Sequence, residues 1–237
     1  MSEWKAKRFW AEATVEETDG GFTVRLDGRP VRTPAKRALV VPTHALASEI
    51  AAEWDAQEGE ISPKSMPCTR SANAALDKVA PQKTEVVDMI AAYGENDLLC
   101  YRAESPTELA AKEAAEWDSY LNWAESDLSA RLDVIIGVMH RPQPPEAIAA
   151  LHRQVADQDN FALTALHDLV SLSGSLVLGL AAQRGREAPE ELWRVSRIDE
   201  DWQTEQWGED EEATALATLK RNSFLHAARF FQLSRAS

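Results

Sequence analysis

Apolar positions in this chain follow two periods, and the change between them organises the rest. Over residues 9–41 the period is two. Ala11, Ala13 and Val15 alternate with polar neighbours, as do Phe22, Val24 and Leu26, the pattern of half-buried strands. Asp19-Gly20-Gly21 and Asp27-Gly28 supply turns, the second fitting a two-residue hairpin. A third strand is expected around Val31 and a fourth through Leu39 and Val41, with Pro34 between them. A small antiparallel meander is therefore predicted.

The period then lengthens. Pro42-Thr43 opens a helix to about Gln57, with Leu46, Ile50 and Trp54 at i, i+4 and i+8. Gly59, Pro63 and Pro67 mark a loop. Helices are expected over 68–79 and 82–93, split by Pro81. Asp97–Arg102 reads as a short strand or as a linker. From Ser105 onward the pattern is helical almost throughout. Ser105-Pro106-Thr107-Glu108 has the form of a capping box with Pro at N1. Leu109, Trp117, Leu121, Ala124 and Leu128 form the stripe behind it. Residues 131–143 leave a strand and a buried turn both open. Helices follow over 144–156, 161–183 (one helix or two), 187–207 and 211–234.

These patterns predict an α+β fold: a small antiparallel β-containing amino-terminal domain over 1–98 and a larger helical-bundle carboxy-terminal domain over 99–237. The 237 residues readily enclose a core for such a chain.

Charge sharpens the picture at one place. The chain carries net charge −14, which argues against a nucleic-acid partner or an anionic membrane surface. Residues 1–40 are slightly basic, whereas Glu187–Glu212 holds eleven acidic residues against only Arg194 and Arg197. On a helical wheel through 189–207, Ile198, Trp202, Val195, Leu192, Trp207 and Trp193 share one arc. Two carboxylates break the arc: Asp199 falls between Val195 and Leu192, and Glu200 between Trp193 and Trp207. An acid on an apolar face needs a partner, within the chain or on another one. Gly208 is the expected helix stop.

Candidate chemistry is sparse. The five histidines are scattered and form no metal-ligand spacing. Cys68 and Cys100 imply neither a disulfide framework nor a nucleophile motif, and a reducing compartment is the simplest setting. The run Gly174–Gly179 has the glycine spacing of a phosphate loop but lacks its Lys-Ser/Thr, so close helix packing is the preferred reading. The stretch 161–182 is interrupted by His167 and Asp168 and reads as buried helix rather than a membrane span. No apolar signal core precedes Trp10. Eight tryptophans (4, 10, 54, 117, 123, 193, 202 and 207) suit a core and a partner surface alike.

Several stretches together resemble the assembly chaperones of the F-type ATP synthase that bind its α subunit in mitochondria and alphaproteobacteria. They are Arg8-Phe9-Trp10, LDGRPVRTP (26–34), IAAEWDAQ (50–57), ISPKSMP (61–67), CYRAESP (100–106), EWDSYLNWA (116–124) and SRIDEDWQTEQWGEDEEA (196–213). They fall in order over nearly the whole chain. The resemblance implies no catalysis and no cofactor. It implies a monomer that holds an unassembled α subunit until the subunit pairs with β, in the bacterial cytoplasm or, for eukaryotic relatives, the mitochondrial matrix. Neither nucleic acid nor stable membrane insertion is part of that role. The matched partner-binding positions are Asp199, Glu200, Trp202, Gln203, Trp207, Gly208 and Trp54. An enzyme such as an ATPase, or a helical adaptor for another protein, is the competing reading.

Overall fold

A computed structural model describes residues 7–236. Contacts divide the chain into two units. One takes the chain up to Lys83 together with Asn160–Ala165 and the stretch from Arg229. The other holds Thr84–Asp159 and Leu166–Ala228.

In the first unit, β1 (Ala13–Thr18) and β2 (Gly21–Leu26) form the expected hairpin, in register from Ala13–Leu26 to Thr18–Gly21. The other edge of β2 pairs with β3 (Arg29–Pro30) and with β4 (Val40–Val41). The third strand is thus shorter and earlier than the pattern around Val31 predicts. Val31 still donates its N–H to Val24 O at 2.9 Å. Helix α1 (His44–Asp55) starts where the sequence places it, with Thr43 Oγ1 accepting from Leu46 N at 3.1 Å. Its Leu46 and Ile50 stripe is fully buried with Val24, Leu39 and Val41. Glu53 lies on the same face. Its carboxylate accepts from Cys68 N, Thr69 N and Thr69 Oγ1 at 2.6–2.7 Å, in the first turn of α2 (Pro67–Ala74). The two backbone donors are orphan groups of the helix start. Burial nevertheless raises the Glu53 pKa.

Pro81 does not break the chain's helical path as expected. After α2 the backbone passes through a wider turn at Ala75–Val79, in which Ala80 N–H reaches back five residues to Ala75 O. The proline is accommodated there before α3 (Lys83–Ala91).

The second unit is mostly helical. Asp97, fully buried, accepts from Leu99 N (3.1 Å) and Val177 N (3.0 Å), and burial raises its pKa. The segment after it becomes β5 (Tyr101–Arg102), which pairs in parallel with β6 (Ile135–Ile136). Both open segments therefore contain a strand. Helix α4 (Thr107–Leu128) begins one residue later than the capping box implies. Pro106 is its N-cap, without a side-chain cap, and the Glu108 carboxylate accepts from Thr107 Oγ1 instead of reaching back. Helices α5 (Pro145–Ala156), α6 (Asn160–Ser173) and α7 (Leu176–Gln183) follow. A Cβ on Gly179 would sit 2.6 Å from Val170 Cγ2 and 3.1 Å from Leu166 Cδ1. Close contact of α6 with α7 is the reason for that glycine.

The expected helix 187–207 is two helices, α8 (Pro189–Val195) and α9 (Ile198–Trp207). Ser196 Oγ donates to Trp193 O at 2.7 Å and competes with the helical ladder at the break. Helix α10 (Glu211–Leu233) closes the chain. Its start is capped by Asp210, which accepts from Ala213 N at 2.8 Å.

Candidate functional site

Four consecutive anchors fix α8 and α9 on one face of α4. The indole Nε1 of Trp117 donates to Val195 O at 2.9 Å. Arg194 pairs with Glu116 at 2.6 Å and with Glu191 at 2.5 Å. These carboxylates hold the guanidinium pKa above its ordinary value. Lys112 pairs with Glu205 at 3.3 Å and lies 5.9 Å from the centre of the Trp202 ring. Glu113, only 2% exposed, meets Asp199. Positions 112, 113, 116 and 117 are spaced to share one side of a helix.

On its other side α9 faces the amino-terminal half of α10 across a groove of about 530 Å³. Trp193, Trp207 and Ala217 give it apolar walls, and Glu200, Asp201, Glu209 and Asp210 line it with carboxylates. Its cations are Arg197 and Arg221. Arg197 is already engaged, with Glu200 at 2.6 Å and over the Trp193 ring at 5.5 Å. Trp207 is 87% exposed at the end of α9. Gly208 stops the helix with φ 90° and ψ 168°, a conformation nearly confined to glycine.

The sequence-predicted residues thus divide into three places. Glu200, Gln203, Trp207 and Gly208 line the groove, joined by Asp201. Asp199 and Trp202 face α4, and one Asp199 carboxylate oxygen is buried with no fixed donor. The wheel drawn through 189–207 does not carry across the break at Ser196, although Asp199 keeps a largely buried oxygen. Trp54 belongs to the first unit, where its ring meets that of Trp10 edge-on at 5.3 Å. Trp4 lies outside the described residues.

Glu113 is not among the residues that the sequence pattern singles out. Its signal was present: it stands four residues from both Leu109 and Trp117 on the apolar stripe of α4. Burial is the main cause that pushes its pKa up to about 7, reinforced by the Asp199 carboxylate and opposed by a hydrogen bond from Ala103 N at 2.8 Å. Cys68 is pushed up to about 12, chiefly by burial, and Cys100 is raised further for the same reason. Among the described residues no cluster of His, Cys, Asp and Glu is arranged to hold a metal ion, and no helix is long and apolar enough to cross a membrane.

Comparison with known proteins places these features in context. Residues 7–125 match the family model described as ATP12 chaperone protein. The mitochondrial protein atp12 of Schizosaccharomyces pombe is 23% identical over 219 residues, covering 87% of this chain and 75% of its own length. The crystal structure of Atp12 from Paracoccus denitrificans is 48% identical and superposes with TM-score 0.95, covering 98% of this chain and all of that one. A mutant of that protein carrying lysine for an aspartate matches with TM-score 0.96 at 48% identity, over 99% of this chain and all of its own.

Proposed function

The chain belongs to the ATP12 chaperone family, and from that premise we propose that it assists assembly of ATP synthase by holding the unassembled α subunit of the F1 sector. The groove between α9 and α10 is the holding surface. The observation that carries this reading is Trp207, 87% exposed beside a groove lined by four carboxylates. A large indole left in water at a concave, charged surface is the composition of a binding hot spot rather than of a core.

An unassembled subunit exposes the surface that its neighbour would bury, an apolar area with a polar rim. The groove offers indole faces to the apolar part and acid groups to basic side chains at the rim. Glu200, Asp201, Gln203 and Trp207 are the contact residues in this proposal, and Gly208 sets the end of the helix that presents them. Asp199 and Trp202 hold α9 on α4. Trp54 supports the fold of the first unit. The chain works by binding alone, as a monomer, in the bacterial cytoplasm.

The test is capture by the tagged, purified chain of separately prepared α and β subunits. Retention of α and exclusion of β is the expected result. Equal retention of both, or of neither, would overturn the proposal.

A further inference from the structure

We propose that Glu113 and Asp199 share a single proton, and that this shared proton fastens α9, one wall of the groove, to α4. The pair deepens the reading of the groove given above by supplying its regulation.

A proton at this point satisfies the geometry. Glu113 projects from α4 and is 2% exposed. One of its oxygens, Oε2, already accepts from Ala103 N at 2.8 Å. Asp199 approaches from α9 with Oδ1 buried and without a donor from any fixed hydrogen. Two ionised carboxylates in this position would be acceptors only, repelling each other with no donor between them. With a proton on Glu113, its free oxygen donates to Asp199, and the orphaned oxygen is satisfied.

The cations around the pair have partners of their own. From β5, Arg102 acts on Glu113 electrostatically. Its hydrogen bonds, however, go to Asp118 at 2.8 Å, to Leu99 O and to Tyr101 O at 3.3 Å, and its guanidinium lies 5.1 Å from the centre of the Trp117 ring. On α4 itself, Lys112 is paired with Glu205 of α9, and Glu116 with Arg194 of α8. Each neighbouring cation is thus engaged with another partner.

Burial first, and then Asp199, place the Glu113 pKa at about 7. The sign follows. Below that pH the proton is present and α9 is fastened. As pH rises through it, Glu113 ionises, the carboxylates repel, and α9 loosens from α4. Asp199 is a positioning residue for the groove, which α9 lines with other side chains.

The test needs no client, so it fails separately from the capture experiment. The Glu113 carboxyl carbon, assigned by its loss in Glu113→Gln, should titrate by NMR with a midpoint near pH 7 in the unmodified chain. In Asp199→Asn the midpoint should fall toward the ordinary carboxylate range, because the amide can donate to an ionised Glu113. Exchange protection of α9 amides, corrected for intrinsic rates, should drop about tenfold between about pH 6 and about pH 8. In Glu113→Gln, whose amide replaces the shared proton, that drop should vanish. A Glu113 midpoint in the ordinary range in the unmodified chain, or α9 protection equal at both pH values, would overturn the proposal.

Discussion

The indole N–H of Trp117 and the carbonyl of Val195 meet at 2.9 Å, at the point where α8 ends and α9 has not begun. Both residues are buried, at 1% exposure. A helix end leaves carbonyls without intrahelical partners, and here α4 supplies one. Trp117→Phe keeps most of the ring but orphans that carbonyl. It should lower stability by about 1–3 kcal/mol, whereas Trp117→Ala should cost about 3–5 kcal/mol because it also opens a cavity. Urea denaturation of the two variants measures the difference.

Gly208 sets the far end of α9. A Cβ there would meet nothing within 4 Å, so crowding plays no part. Its φ of 90° with ψ of 168° is what excludes a side chain. Gly208→Ala should therefore cost about 1–3 kcal/mol in strain, seen as loss of exchange protection in the last turn of α9. Unchanged protection would mean that the backbone shifts to another conformation without penalty.

Trp54 stacks edge-on against Trp10, and neither indole nitrogen has a hydrogen-bond partner. The ring rather than its N–H holds this corner of the first unit. Trp54→Ala should cost about 3 kcal/mol and lower the melting temperature, while Trp54→Phe should cost much less. Normal melting of Trp54→Ala combined with lost capture of α subunit would transfer Trp54 to the binding surface.

Much of this fold is legible in local pattern. Thr43 announces α1, Asp27-Gly28 turns the chain from β2 to β3, and Leu46 and Ile50 mark the buried face. What the pattern leaves out is long-range. A linear reading makes a single cut, whereas contacts return Asn160–Ala165 and the stretch from Arg229 to the first unit. There Thr43 Oγ1 donates to Leu233 O at 2.5 Å and Arg229 pairs with Glu49 at 2.8 Å. The break at Ser196 is equally non-local, since the buried Val195 carbonyl that it leaves is answered by Trp117 from another helix. Asp199 was visible as an acid among apolar residues, but Glu113, its counterpart, shows only as an acid on an apolar stripe. Pairing them requires the packing of α9 on α4.

The pH dependence of stability follows from the same carboxyl. Glu113 has a folded-state pKa raised from 4.5 to about 7. Its contribution to stability is fully present below the unfolded value and is lost as pH rises through the folded one. Denaturation midpoints of the unmodified chain should therefore fall between those pH values. Glu113→Gln should flatten this part of the profile and stand above the unmodified chain at about pH 8. An identical profile for both would show that Glu113 titrates as an ordinary carboxyl.

The groove as holding surface is tested most directly by the affinity of purified α subunit for Trp207→Ala beside the unmodified chain. Trp207 is 87% exposed, so its removal should leave melting unchanged. Loss of a hot-spot indole costs at least about 2 kcal/mol of binding, which is roughly thirtyfold in Kd. That weakening is expected, with a further loss when Asp201→Lys is added to reverse a charge in the groove. An α-subunit affinity unchanged in the double variant, with the fold intact, would contradict it.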